Sequence, residues 1–119
     1  MTDVTLIEKA AAWAKSQGFD QIKANSEGYE TPTQYTMKDQ DKTYTPDLTG
    51  IFLGRKNYVE VITKNMDKEF LVSKYKLLST LAKVKNGQFI LLAPTGHKSF
   101  ADKMVEDHQL NAKVHRLLG

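Results

Sequence analysis

The segment Pro46-Asp47-Leu48-Thr49-Gly50-Ile51-Phe52 and the later run Tyr58-Val59-Glu60-Val61-Ile62-Thr63-Lys64 hold residues whose types and spacing carry chemistry. An acid opens the first run. A second acid stands in the middle of the next, 13 positions later, and a lysine closes it. If the two runs pair as a hairpin, Asp47 and Glu60 reach toward one point, because neighbouring strands lie about 4.8 Å apart. One or two carboxylates plus several waters are what Mg²⁺ takes from a protein. A lysine beside such an ion lowers the pKa of an attacking water or steadies phosphorane-like charge. Glu60 lies between Val59 and Val61 in a strand covered by a following helix, a place usually buried on both faces. A carboxylate buried there is costly unless paired or metal-bound. Asp47 taken alone reads as an ordinary strand-start residue after proline.

The elements that must position these residues follow from periodicity. Thr5 and Glu8 have capping-box spacing before the apolar stripe Leu6, Ile7, Ala10, Ala11, Trp13 and Ala14, and Gly18 suits the end of that helix. Residues 19–25 read as a strand with Ile22 and Ala24 on one face. Tyr35 and Met37 alternate with polar residues ahead of a turn at 39–42. Residues 47–53 and 58–63 read as an antiparallel hairpin about a turn at 54–57. A helix is expected from Asp67 through Lys85 on Phe70, Leu71, Leu77, Leu78, Leu81 and Ala82, with Lys74 the polar exception on that stripe. Residues 88–93 form a buried-type strand stopped by Pro94, residues 99–108 an amphipathic helix, and residues 113–118 either a strand or a short helix. A strand, helix and strand between residues 58 and 93 imply a right-handed parallel crossover. The expected class is α/β, bordering on α+β, with a mixed central sheet flanked by helices in a single domain over residues 1–119.

With Pro46-Asp47 as a first motif, Glu60 as the second acid and Lys64 as a displaced lysine, the chain resembles the PD-(D/E)XK, or restriction-endonuclease-like, nucleases. The order of helix, hairpin, helix and strand around the motif is similar too, so the resemblance spans roughly residues 5–108. It implies a mixed sheet between helices, a Mg²⁺ or Mn²⁺ cofactor and hydrolysis of DNA phosphodiester bonds, with Asp47, Glu60 and Lys64 as catalytic residues. Glu8 resembles the first-helix acid that some members use as an extra metal ligand; its bland role is the capping box. The chain departs from the family at Ile62, where the pattern places lysine. Residues 60, 62 and 64 share one face of a continuous strand, so Lys64 would point to the correct side about 6.6 Å farther along. Lys74, on the next helix, is the other candidate.

Charge supports the same direction. Residues 1–53 carry 5 Lys against 8 Asp or Glu; residues 54–119 carry 12 Lys or Arg against 6. Arg55, Lys56, Lys68, Lys74 and Lys76 are candidates for tracking a phosphate backbone. Tyr35, Tyr44, Tyr58 and Tyr75 are candidates for stacking on unpaired bases, with core packing the alternative for at least half of them. The absence of cysteine excludes a disulfide framework, thiolate zinc, iron–sulfur clusters and a Cys nucleophile. His97, His108 and His115 lack metal-ligand spacing, and no P-loop, dinucleotide, GxSxG or HExxH signature occurs. No apolar run nears the ~20 residues of a membrane helix, so a cytoplasmic protein without membrane contact is expected. At 119 residues there is no room for a separate recognition domain, which leaves specificity to DNA structure, a homodimer or a partner protein. The expectation is a small metal-dependent endonuclease on DNA; the alternative is an inactive nuclease-fold module that binds nucleic acid or a protein.

Overall fold

In a computed structural model, which describes residues 3–39 and 41–117, the chain begins with helix α1 (Val4–Gln17). Its N-cap is Asp3, whose side chain accepts a hydrogen bond from the Thr5 N–H at 2.7 Å. The expected Thr5–Glu8 capping box is therefore replaced: Asp3 lies two residues earlier and caps at least as well, which moves Thr5 inside the first turn and leaves Glu8 exposed on the helix. Gly18 ends α1 in the left-handed conformation, as its lack of Cβ allows.

Strand β1 (Asp20–Ala24) follows, then a small hairpin of β2 (Tyr35–Met37) and β3 (Lys42–Tyr44). The partner strand β3 was not anticipated, and Gln40, within the predicted 39–42 turn, lies outside the described residues. Strands β4 (Leu48–Phe52) and β5 (Arg55–Val61) make the expected antiparallel hairpin, but its turn is tighter than predicted. Phe52 pairs with Arg55, so the turn is Leu53-Gly54, both at positive φ. Two positive φ values match the right-handed strand twist, and Gly54 meets that demand without strain.

Helix α2 (Lys68–Val84) is capped by Asp67, which accepts from the Glu69 N–H. It leads to β6 (Phe89–Pro94), then α3 (Lys98–His108) and β7 (Lys113–Leu117). The terminal element is thus a strand; Leu118 lies outside the described residues. The main sheet has the order β1-β4-β5-β6-β7, antiparallel from β1 to β5 and parallel from β5 to β7. The class is α/β with a mixed five-stranded sheet flanked by helices. No described helix is long and apolar enough to cross a membrane.

Strand alternation divides the core. Leu48, Val59, Val61, Ile90 and Leu92 face α1; Tyr58, Ile62, Phe89, Leu91 and Ala93 face α2 and α3. The link from α2 into β6 passes tightly under β5. A Cβ on Gly87 would lie 1.6 Å from the Lys56 carbonyl oxygen, and the neighbouring Gln88 N–H donates to Asn57 Oδ1 at 2.7 Å. Gly87→Ala should therefore cost about 3 kcal/mol, read as a lower urea midpoint, because the clash is with backbone and cannot relax by a rotamer change.

Candidate active site

Asp47 and Glu60 meet because of the hairpin register. Leu48 pairs with Val59, so Asp47 stands opposite Glu60 one step further along. Opposed residues share a face, and since Leu48 and Val59 face α1, the two acids face α2. They are latched reciprocally: the Asp47 N–H donates to Glu60 Oε2, and the Val61 N–H donates to Asp47 Oδ2 at 2.9 Å. Residue 46 is proline and has no N–H to donate, so the latch closes the ladder at this end. Asn25 secures the corner from β1's end, donating its side-chain N–H to the Pro46 carbonyl and its backbone N–H to that of Asp47, both at 3.1 Å.

The positive charge that these acids require comes from α2. Leu71 and Leu78 seat one stripe of that helix on the sheet, and Lys74 lies on the same stripe between them. Its Nζ is 2.8 Å from Glu60 Oε1 and 4.0 Å from Asp47 Oδ1. All three residues are buried, at 4% exposure for Asp47, 2% for Glu60 and 6% for Lys74.

The chain matches no family model, no curated protein and no solved structure.

The electrostatics of the cluster follow from its burial. Burial first, and then the adjacent Asp47 charge, push the Glu60 carboxyl up to about 8, against the pull of the Lys74 ammonium and the Asp47 N–H. Lys74 is held above its ordinary value: burial opposes its charge, but the two carboxylates outweigh burial. At neutral pH Glu60 therefore largely keeps its proton. A carboxyl whose folded pKa is raised contributes no penalty below the unfolded value near 4.5 and its full penalty above about 8. Stability should thus fall across that window by at most about 5 kcal/mol from this residue. Comparing the thermal midpoints of wild type and Glu60→Gln from pH 5 to 9 checks it: only the wild type should show this loss.

Asp47 and Glu60 are hard oxygen donors of the kind the family resemblance assigns to a divalent cation, and such a cation would compete with the Lys74 ammonium for them. The two acids would hold the cation, with water in the remaining positions, as is usual for Mg²⁺. Among the described residues, no group of three or more His, Asp or Glu side chains gathers to hold a metal. Glu8 accordingly does not join the pair, because its helix packs on the opposite face of the sheet through Ile7, Ala10, Ala11 and Ala14.

Lys64 is not brought to the acids by the strand. β5 ends at Val61, so the shared-face argument does not extend to residue 64. Lys64 is exposed in a turn, where its backbone N–H donates to His97 Nδ1 at 3.0 Å. Ile62, at the position the family pattern gives to lysine, is fully buried against α2. Of the predicted phosphate contacts, Arg55, Lys68 and Lys76 are exposed, whereas Lys74 is spent inside the cluster. Lys56 is half-buried, with its Nζ 3.3 Å from the Tyr35 hydroxyl and 5.3 Å from the Tyr58 ring centre. Tyr44, Tyr58 and Tyr75 are buried core residues and offer no face to a base.

Two features escaped sequence reading. Asp47 and Lys74 line a cleft of about 470 Å³, and Phe70, one helical turn before Lys74, lines it as well. Tyr75 is also close enough to the acids to feel them: burial and then the Glu60 and Asp47 charges push its phenol well above the usual range. The stripe containing Leu71, Lys74 and Leu78 was the available signal for Lys74, since a lysine on a buried face implies a buried anion. No comparable signal marks Phe70, whose apolar character suits core and cleft alike.

Proposed function

We propose that the protein is a small Mg²⁺- or Mn²⁺-dependent nuclease of the PD-(D/E)XK type that hydrolyses phosphodiester bonds in DNA. The observation that carries this reading is the buried cluster of Asp47, Glu60 and Lys74 at a cleft, two carboxylates and one ammonium on adjoining elements of the sheet and α2. The element order of helix, antiparallel strands, helix and parallel strand supports it, being the order the family resemblance implies.

A bound divalent cation would supply charge stabilisation at the phosphate and a more acidic water. The chain's own contributions are distinct. Asp47 and Glu60 supply the oxygen ligands, and their mutual latch fixes them before substrate arrives, so little reorganisation is needed. Lys74 takes the role that the sequence shared between Lys64 and Lys74. Its ammonium, which Glu60 engages at 2.8 Å, would in this reading turn to the attacking water and to negative charge developing on the phosphoryl group. Burial of the cluster keeps these interactions in a weakly screening environment, where they are worth more than in water.

Calorimetric titration with Mn²⁺ tests the reading. One defined site is expected in the wild type, lost in Asp47→Asn, with a proton released on binding and affinity rising as pH approaches 8, because Glu60 must ionise to act as ligand. Heat that is unchanged in Asp47→Asn would place Mn²⁺ elsewhere and defeat the proposal.

A further inference from the structure

We propose that the cleft takes an unpaired nucleotide of single-stranded DNA, with its base stacked on Phe70; this rests on the nuclease reading for the identity of the polymer. The cleft at Asp47 and Lys74 does not end there. A second cavity of about 630 Å³, reaching to Asp3 and Leu6 at the start of α1, shares Met66 and Phe70 with it. The two cavities thus adjoin at Met66 and Phe70, with Asp47 and Lys74 in the wall of the first.

Phe70 is an unusual surface on α2. Leu71, Tyr75, Leu78 and Ala82 of this helix are buried, while Phe70 is 36% exposed. The ring packs on the buried Tyr44 ring, 5.3 Å between centres and tilted by 44°, which restrains it from one side. It lies one turn from Lys74, so a base on it would place its own phosphate near the cluster.

The charge of the two cavities selects the occupant. Among the described lining residues the only cation is Lys74, which Glu60 already engages; Asp3 and Asp67 add negative charge. A duplex bound by its phosphates requires lysines and arginines along its path. A single strand also needs cations along its backbone, but the base itself requires a ring to stack on and amides or hydroxyls at its edges. Phe70 supplies the first, and Asn25, Gln34, Thr31 and Thr45 supply the second. The exposed cations Lys64 and Lys68 lie in the chain just before Phe70, available to the flanking backbone.

Binding measured in EDTA separates this inference from turnover. The probes are a short labelled single strand carrying one 2-aminopurine and a blunt duplex of the same sequence. The wild type should bind the single strand at least about tenfold more tightly and quench the 2-aminopurine. Phe70→Ala should lose the quenching and about tenfold in single-strand affinity, and Phe70→Trp should restore both, with circular dichroism confirming that each variant is folded. Single-strand binding no tighter than duplex binding, or quenching that survives Phe70→Ala, would overturn the inference. If strand preference is as expected but Mn²⁺ gives no cleavage, the nuclease reading fails and the single-strand site stands. If Mn²⁺ supports cleavage without any strand preference, the converse holds.

Discussion

Replacing Lys74 with alanine is expected to lower the unfolding free energy by about 3–5 kcal/mol, because it strands two buried carboxyl groups without their cation. That is a large share of the roughly 5–15 kcal/mol by which domains of this kind are held folded. The loss should grow at high pH. Up to about pH 8 Glu60 keeps its proton in the folded wild type and the loss is nearly constant; above that the wild-type carboxyl ionises beside the ammonium, while in the variant, without that pull, it holds its proton to higher pH and the loss widens. Lys64→Ala provides the contrast: its side chain is exposed, and the change should fall within about 0.5 kcal/mol. Adding Glu60→Gln to Lys74→Ala should recover part of the stability, since it removes one of the stranded charges, and a double-mutant cycle would read that coupling. Denaturant unfolding at pH 5 and pH 9.5 measures the wild type, the three single variants and the double variant. At temperatures where Lys74→Ala remains folded, its cleavage rate should be at least about a hundredfold below wild type, while Lys64→Ala cleaves normally.

Asp47→Asn and Glu60→Gln should separate function from folding in the opposite sense. The glutamine side-chain oxygen can still accept from the Asp47 N–H, and an asparagine oxygen can still accept from the Val61 N–H, so the hairpin latch survives either change. Glu60→Gln turns its amide N–H₂ toward the Lys74 ammonium, a cost at every pH, but its stability relative to wild type should rise steadily from about pH 4.5 to about pH 8, because the unfolded carboxyl ionises across that window while the folded one keeps its proton. On the proposed nuclease reading both variants lose an oxygen ligand, and metal-dependent cleavage should drop by at least about 10²-fold, since even the partners behind metal ligands are worth 10- to 100-fold. A variant that is as stable as its parent and yet inactive is the signature of a residue kept for chemistry.

That the two acids lie on paired strands and share a face was legible, but their direct opposition was not, because it depends on the length of the turn. Residues opposed in a hairpin have a constant index sum: the expected 54–57 turn gives 111 and sets Asp47 opposite Lys64, whereas the observed Leu53-Gly54 turn gives 107 and sets it opposite Glu60; both sums are odd, so the acids share a face in either register. The choice of lysine was harder. Val61, Ile62, Thr63 and Lys64 read as continuing strand, yet pairing with β4 stops where Pro46 cannot donate, and Lys64 falls in a turn. Local propensity does not report where the partner strand ends. Lys74 was visible as the polar exception on an apolar helical stripe; what fixed its role was the strand alternation that aims Glu60 at α2 rather than α1. The capping error at α1 was of another kind: Asp3 and Thr5 both make acceptable caps, and sequence alone did not rank them. The role of Phe70 was illegible because exposure is a property of the neighbours, Tyr44 and Met66, that arrive from distant parts of the chain.

The most direct test of the central claim is a plasmid-nicking assay run in parallel on wild type, Asp47→Asn and Glu60→Gln, each purified identically and assayed with Mn²⁺, Mg²⁺ or EDTA. The wild type should nick DNA with either metal and not in EDTA, and both variants should be at least about a hundredfold slower while remaining folded. A folded wild type that leaves the plasmid intact with both metals, or three proteins that nick at one common rate, would contradict that claim.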